Sequence, residues 1–300
     1  MSLRHFSPLR YPGGKASLAS FLEDVIDLND LRGCQYFEPY AGGAGAALTL
    51  LEKNAVDSIY INDADPRIHA FWCAVLNNTE KFADRVLTVP LGLEEWRKQR
   101  DVCSSPGSYN YFDVGFSAFY LNRCNRSGVL TGAGPIGGMQ QNGKWKLDAR
   151  FSRDALAQRI RLVGANRERI RLECMDAIEF LKSTLPPGRA RSKVLVYLDP
   201  PYVNKGQQLY LNSYRPEDHV TIARYITSQK VLPWIMSYDD TELIRSLYSK
   251  QRLFKMPIRY SLQVKKEASE LIISPHSLTL PRSVRVHGVK SSFFQLTQTA

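Results

Sequence analysis

Residues 193–198, Lys-Val-Leu-Val-Tyr-Leu, form a short and almost wholly apolar run that ends abruptly at Asp199-Pro200-Pro201-Tyr202. A run with no polar alternation has both faces covered, which is the habit of a central strand in a parallel sheet. Two consecutive prolines stop the strand, because neither has a backbone N–H for the ladder. Ligands in open parallel sheets gather at the carboxyl ends of the strands, so the tetrapeptide after this run is the first place to look for chemistry.

Other segments supply the rest of such a sheet. Residues 35–38 read as a strand, followed by Pro39, a small-residue loop over 41–47 and a helix over 46–53. Residues 58–62 read as the next strand, completing a βαβ unit with a tight glycine turn. Asp65-Pro66 places an N-cap and a first-turn proline at the head of another helix. Helices are predicted over 80–87, 94–100, 111–122 and 154–163. A glycine-rich loop spans 131–150, and its Asn142-Gly143 step predicts a hairpin through Trp145–Leu147. Strand 170–174, helix 176–184, helices 219–230 and 240–247, and strands 234–238 and 270–274 resume the alternation. The fold class is therefore α/β, a Rossmann-like sheet with helices on both faces. It is interrupted by a mainly helical insert carrying a hairpin or loop. Residues 1–75 and 160–300 make the sheet domain and 76–159 the insert.

Three segments carry chemistry. At the end of strand 193–198, Asp199 and the Pro200 carbonyl present two acceptors in a rigid loop beside the aromatic ring of Tyr202. They suit an exocyclic amine on a flat base; a Pro-Pro turn capped by Asp is the structural alternative. The second is Phe37-Glu38-Pro39-Tyr40-Ala41-Gly42-Gly43-Ala44-Gly45, whose glycines let a backbone approach a cofactor closely. It departs from the dinucleotide fingerprint, because Leu48 stands where a third glycine belongs. Asp63 follows Gly43 by 20 residues, where an acid commonly holds ribose hydroxyls; it is also a plausible strand-end turn residue. The third is Arg10-Tyr11-Pro12-Gly13-Gly14-Lys15. It falls short of a nucleotide triphosphate loop, since Leu9 and Ala16 replace the required Gly and Ser/Thr.

These segments, in this order, resemble Dam-type (alpha-group) DNA adenine-N6 methyltransferases, which use S-adenosyl-L-methionine. The resemblance covers most of the chain. Pro12–Lys15 is similar to the family's first cofactor segment, and residues 37–45 to its F-x-G-x-G loop. Phe119-Tyr120-Leu121-Asn122-Arg123 is similar to its YLNR segment, and Asp199–Tyr202 is its DPPY motif unchanged. Residues 234–239 and 270–274 also resemble late family segments. The resemblance implies a site-specific methyltransferase acting on N6 of an adenine flipped out of duplex DNA. Asp199, Pro200, Pro201 and Tyr202 would be catalytic. Tyr11, Lys15, Glu38, Pro39, Gly42, Gly43, Gly45, Asp63, Asp176 and Asp199 would line the cofactor, with Asp176 equally readable as a helix N-cap. Arg123, Asn125, Arg126, Thr131, Lys144 and Lys146 would meet DNA. GATC-reading members carry a base-contacting Arg where this chain has Thr131, so the implied recognition sequence is not GATC.

Charge agrees with a polyanionic partner. Forty Lys+Arg against 29 Asp+Glu give a net +11, and residues 144–173 alone hold nine basic against four acidic side chains. Such a stretch grips phosphates or forms a solvated basic helix face. The five cysteines and five histidines are scattered, with no CxxC and no metal-type spacing. The expectation is reduced thiols, no metal, and a cytoplasmic protein with no secretory h-region over Met1–Lys15 and no membrane span. Expected partners are double-stranded DNA and a cognate restriction enzyme, with the chain a monomer or weak dimer. The competing readings are an RNA adenine-N6 or DNA cytosine-N4 methyltransferase, or a non-enzymatic DNA-binding protein.

Overall fold

The computed structural model describes residues 6–10, 15–203, 214–259, 267–286, 289–292 and 294–295. Ten strands and ten α-helices lie within them. The strands are β1 (Cys34–Glu38), β2 (Val56–Asn62), β3 (Ile170–Glu173), β4 (Val194–Leu198), β5 (Trp234–Asp239), β6 (Arg252–Arg259), β7 (Glu267–Ser274), β8 (Ser283–Val286), β9 (Val289–Ser292) and β10 (Phe294–Gln295). The helices are α1 (Ala19–Leu28), α2 (Gly45–Glu52), α3 (Pro66–Asn77), α4 (Thr79–Thr88), α5 (Leu93–Ser104), α6 (Tyr111–Cys124), α7 (Arg153–Ala165), α8 (Ala177–Thr184), α9 (Pro216–Thr227) and α10 (Glu242–Leu247).

Eight strands form one sheet in the order β3-β2-β1-β4-β5-β7-β6-β10. The five from β3 to β5 are parallel, and β7, β6 and β10 add antiparallel pairs at one side. This is the Rossmann-like α/β sheet that the sequence predicts. The apolar run forms β4, buried along its whole length between β1 and β5. Strand alternation sends its side chains to two cores. Val194, Val196 and Leu198 join α8, α9 and α10 on one face. Leu195 and Tyr197 join α1, α3 and α6 on the other.

The chain order reverses direction at β1. It runs from β1 to β2 and β3 on one side, then returns to place β4 on the other. A crevice opens where neighbouring connections diverge, so the carboxyl ends of β1 and β4 form the natural binding position.

The insert does not stand apart. Phe116 and Phe119 of α6 share one continuous core with Phe71 and Trp72 of α3. Gly115 makes that approach possible, since a Cβ there would overlap the Ala70 carbonyl. After α6 the predicted hairpin through Trp145–Leu147 is replaced by a loop closed on itself. Strand pairing there reduces to one isolated bridge, Asn125 with Pro135. The Gln141 amide explains why. Its Nε2 donates to the Ile136 and Gly138 carbonyls at 2.8 and 2.7 Å, and its Oε1 accepts from Leu147 N at 2.9 Å. Those bonds curl the segment where a ladder would have needed extended backbone, and a 3-10 turn follows at Leu147–Arg150.

Among the described residues no helix is long and apolar enough to cross a membrane. No group of three or more His, Cys, Asp or Glu there is placed to hold a metal ion.

Candidate active site

A cleft of about 830 Å³ lies over the carboxyl ends of β1, β2 and β4. Its walls include the glycine loop, Asp63, Asp176, Asp199, and the start of the chain at Ser7–Arg10 and Lys15–Ala16.

The glycine loop is fixed by its neighbours. Gly42 (φ 47°) and Ala44 (φ 45°) both take left-handed backbone, which turns the chain from β1 into α2. The Gly42 N–H donates to Asp63 Oδ2 at 2.8 Å, and its carbonyl accepts from Trp72 Nε1 at 3.0 Å. Gly45 heads α2 so close to Ala16 that a Cβ would sit 3.0 Å from the Ala16 Cβ. Asn62, at the end of β2, donates to the Pro39 and Met175 carbonyls and accepts from Met175 N, each at 3.0 Å. One amide thus ties the ends of three strands into a rigid rim.

The acids of the cleft differ in state. Glu38 ends β1 with its carboxylate accepting from Tyr36 Oη at 2.9 Å and Ala47 N at 3.2 Å. Burial dominates these bonds and pushes its carboxyl up to about 8. Asp63 accepts from Gly42 N and Asp65 N, and burial raises it to about 6. Asp176 does cap α8, accepting from Ile178 N at 2.8 Å and Glu179 N at 3.2 Å through the same Oδ1. It lines the cleft as well, so the two readings of that residue are compatible.

Asp199 stands just beyond β4. Ser237 Oγ on β5 donates to its Oδ1 at 2.7 Å, Tyr202 Oη does so at 3.3 Å, and Lys15 Nζ lies 3.1 Å away. Burial pushes the Asp199 carboxyl above the usual carboxylate range, against the pull of Lys15; Glu270 adds to the rise, and the Ser237 bond opposes it. Asp239 steadies the same loop by accepting from Val203 N at 3.0 Å. Lys15 lines the cleft, and its ammonium sits beside the Asp199 carboxylate, 2.8 Å from Tyr202 Oη and 3.3 Å from Glu270 Oε1. Ser237 and Glu270 lie in the two late segments, 234–239 and 270–274, that the sequence singles out without giving either residue a role. Their places beside Asp199 and Lys15 follow from strand order, which sequence reading does not supply. Tyr11 lies outside the described residues.

The expected DNA contacts divide into two groups. Arg126, Thr131, Lys144 and Lys146 are exposed. Thr131 Oγ1 accepts from Arg67 Nη1 at 2.8 Å, and Arg67 in turn is clasped by both oxygens of Asp65 at 2.9 and 2.6 Å. Arg123 and Asn125 are buried among protein groups: Asn125 is wholly enclosed, and Arg123 meets solvent only at the wall of the cleft. Arg123 is 6% exposed and donates through Nε and Nη2 to the Pro8 carbonyl. Burial beside Arg159 and Arg10 lowers its guanidinium to about 9. Asn125 is fully buried, accepting from Trp96 Nε1 at 2.7 Å and donating to the Val129 carbonyl at 2.8 Å. Both brace the insert. Their polar heads point inward because the end of α6 lies against Pro8 on one side and Trp96 on the other.

Comparison with known families matches residues 11–262 to the D12 class N6 adenine-specific DNA methyltransferases. The chain belongs to that family. No curated protein matches it. Among solved structures, it is similar to a protein of Listeria monocytogenes whose structure was reported as a class I S-adenosylmethionine-dependent methyltransferase, with 12% identity and a TM-score of 0.38. That alignment covers 95% of this chain and 66% of the other, so this chain spans less than two thirds of that protein's length.

Proposed function

We propose that this protein transfers a methyl group from S-adenosyl-L-methionine to N6 of an adenine flipped out of duplex DNA. The observation that carries the reading is the junction of two sites in one cleft. The glycine loop with Glu38 and Asp63 lies at the end of β1 and β2, and Asp199-Pro200-Pro201-Tyr202 at the end of the adjacent β4.

The residues present fit the cofactor. Gly42, Gly43 and Gly45 leave room for close approach, Asp63 suits ribose hydroxyls, and Glu38 faces the space beside Asp199 where a cationic amino-acid end is welcome. S-adenosyl-L-methionine supplies, when bound, an electrophilic methyl on a sulfonium. The chain does the rest by placement. Asp199 and the Pro200 carbonyl accept hydrogen bonds from the adenine amino group and draw N6 toward a pyramidal, nucleophilic shape. Tyr202 offers its ring as a stacking face. As the N6–methyl bond forms and the methyl–sulfur bond breaks, positive charge grows on N6; the Asp199 carboxylate stabilises it, and the surplus N6 proton is then released to solvent. Alignment of the two partners supplies much of the rate. Extrusion of the base is required because the target nitrogen is inaccessible within the stack.

Exposed Arg126, Lys144 and Lys146 hold the phosphate backbone. With Thr131 held by Arg67 where an arginine reads GATC in relatives of the Dam type, the recognition sequence is a different one.

The test is incubation with labelled S-adenosyl-L-methionine and unmodified genomic duplex DNA, followed by nucleoside analysis. N6-methyladenine at one recurrent sequence is expected, and Asp199→Asn abolishes it while cofactor binding persists. Label in N4-methylcytosine or in RNA alone, or full activity in Asp199→Asn, overturns the reading.

A further inference from the structure

Glu270 is a buried carboxylate at the head of the apolar stretch of its strand. It lies on β7, is 1% exposed, and precedes Leu271, Ile272 and Ile273, all fully buried. Burying a carboxylate costs several kcal/mol unless it is paired and hydrogen-bonded. Its partner is Lys15, whose Nζ is 3.3 Å from Glu270 Oε1 and 3.1 Å from Asp199 Oδ1. One ammonium therefore bridges two carboxylates from strands on either side of β5.

The arrangement around Asp199 is one-sided. Lys15, Ser237 and Tyr202 all converge on Oδ1. A carboxylate held by one oxygen has a fixed rotation and presents the other to an incoming amine. Lys15 alone would not maintain this. Its ammonium is a compact charge on a flexible stem with freely turning donors, and a lysine facing one carboxylate gains by bridging both of its oxygens.

We infer that Glu270 is a positioning residue for the methyl transfer: by holding the Lys15 ammonium on the Oδ1 side of Asp199, it keeps Oδ2 open to the adenine amino group. The inference rests on the proposed reaction for its consequence, though not for its geometry. A second consequence concerns charge. Two carboxylates against one ammonium leave the pocket with a surplus of negative charge among these three groups, which suits an amine that becomes cationic as it is methylated. Without Glu270, Lys15 and Asp199 close into a neutral pair and Asp199 becomes a poorer acceptor.

The experiment compares Glu270→Gln, Lys15→Met and the double variant in single-turnover methylation, with cofactor affinity measured separately. Glu270→Gln keeps the side-chain shape. It is expected to slow transfer at least about tenfold while leaving the cofactor Kd within about threefold, and the double variant is expected to be no slower than Lys15→Met alone. Glu270→Gln at wild-type rate, or losses that multiply in the double variant, overturns the inference. A readout independent of substrate accompanies it: the Lys15 ε-methylene NMR shift followed through pH. Glu270→Gln is expected to lower the Lys15 titration midpoint, and an unmoved midpoint overturns the inference. If Glu270→Gln does not fold, Glu270→Asp takes its place, keeping the charge but withdrawing it from Lys15. Slower transfer at unchanged cofactor Kd is then expected, and an unaltered rate overturns the inference. A wild-type protein that methylates no DNA refutes the proposed function instead, and the Lys15 titration still decides the role of Glu270.

Discussion

Replacing Asn122 by Ala tests how Arg10 is held at the wall of the cleft. The Asn122 amide sits in the last turn of α6, 1% exposed. Its Oδ1 accepts from Arg10 N at 2.6 Å, and its Nδ2 donates to the Arg10 carbonyl at 2.6 Å and the Gly128 carbonyl at 3.0 Å. The bonds to Arg10 mimic a strand pair, and the third secures the loop after α6, where Gly128 at φ 77° leaves no room for a Cβ beside the Arg10 carbonyl. Removing the amide orphans one N–H and two carbonyls in a tight space. At about 1 kcal/mol per lost bond the destabilisation is about 3 kcal/mol. For a chain of this size that lowers the Tm by roughly 6 °C. Arg10 lines the cleft, so cofactor affinity is expected to fall along with stability. Differential scanning calorimetry and equilibrium cofactor titration check the two effects. A Tm within about 1 °C of wild type, beyond the resolution of the effect expected, would show that these bonds are replaced by water and that the N-terminal segment is held by something else.

The raised carboxyl of Glu38 gives a pH dependence with a definite sign. Folding lifts it from the usual 4.5 to about 8, so the folded cofactor-free protein retains a proton that the unfolded chain releases. Its contribution to stability is intact below about 4.5 and is lost as pH rises toward 8; urea midpoints should fall across that window less steeply in Glu38→Gln, and parallel curves would contradict the assignment. A cationic ligand beside Glu38 favours its ionised form, so cofactor binding should release a proton near pH 7, seen calorimetrically as a buffer-dependent enthalpy that Glu38→Gln abolishes. At the proposed DNA surface, Lys144→Ala and Lys146→Ala should each reduce the slope of log K against log salt by about 0.9. Unchanged slopes would place the duplex elsewhere.

Much of the fold was legible because periodicity reports burial. The apolar run of β4 announced a strand covered on both faces, and Asp65-Pro66 announced the head of α3, where Asp65 does accept from Arg67 N. The candidate site was legible where a motif is continuous in the chain, as in the glycine loop and Asp199–Tyr202. Contacts that join distant segments were not. Glu270 is separated from Lys15 by 255 residues, and no local pattern marks either as the other's partner. Arg123 and Asn125 misled for a related reason: polar residues at the end of a helix read as exposed unless one knows that Pro8 and Trp96 lie against them. The hairpin failed because the Asn142-Gly143 turn signal is local, whereas the Gln141 amide captured the surrounding carbonyls and ended any extended run.

The seam between α3 and α6 bears on how recognition specificity can be transplanted. Since Gly115 lies against the Ala70 backbone and the phenylalanines of both helices share a core, a chimera cut near residues 75 and 160 would exchange half of a packed interface for a foreign one. The separable unit is smaller. It begins after Asn125, whose amide is anchored to Trp96, and ends before Phe151, which packs against Phe119 and Tyr120. On the proposed reading, grafting that loop with Gly128 and the buried Leu147 retained leaves α6 and α7 in place, so a search for altered sequence preference has a single loop to vary rather than a whole domain.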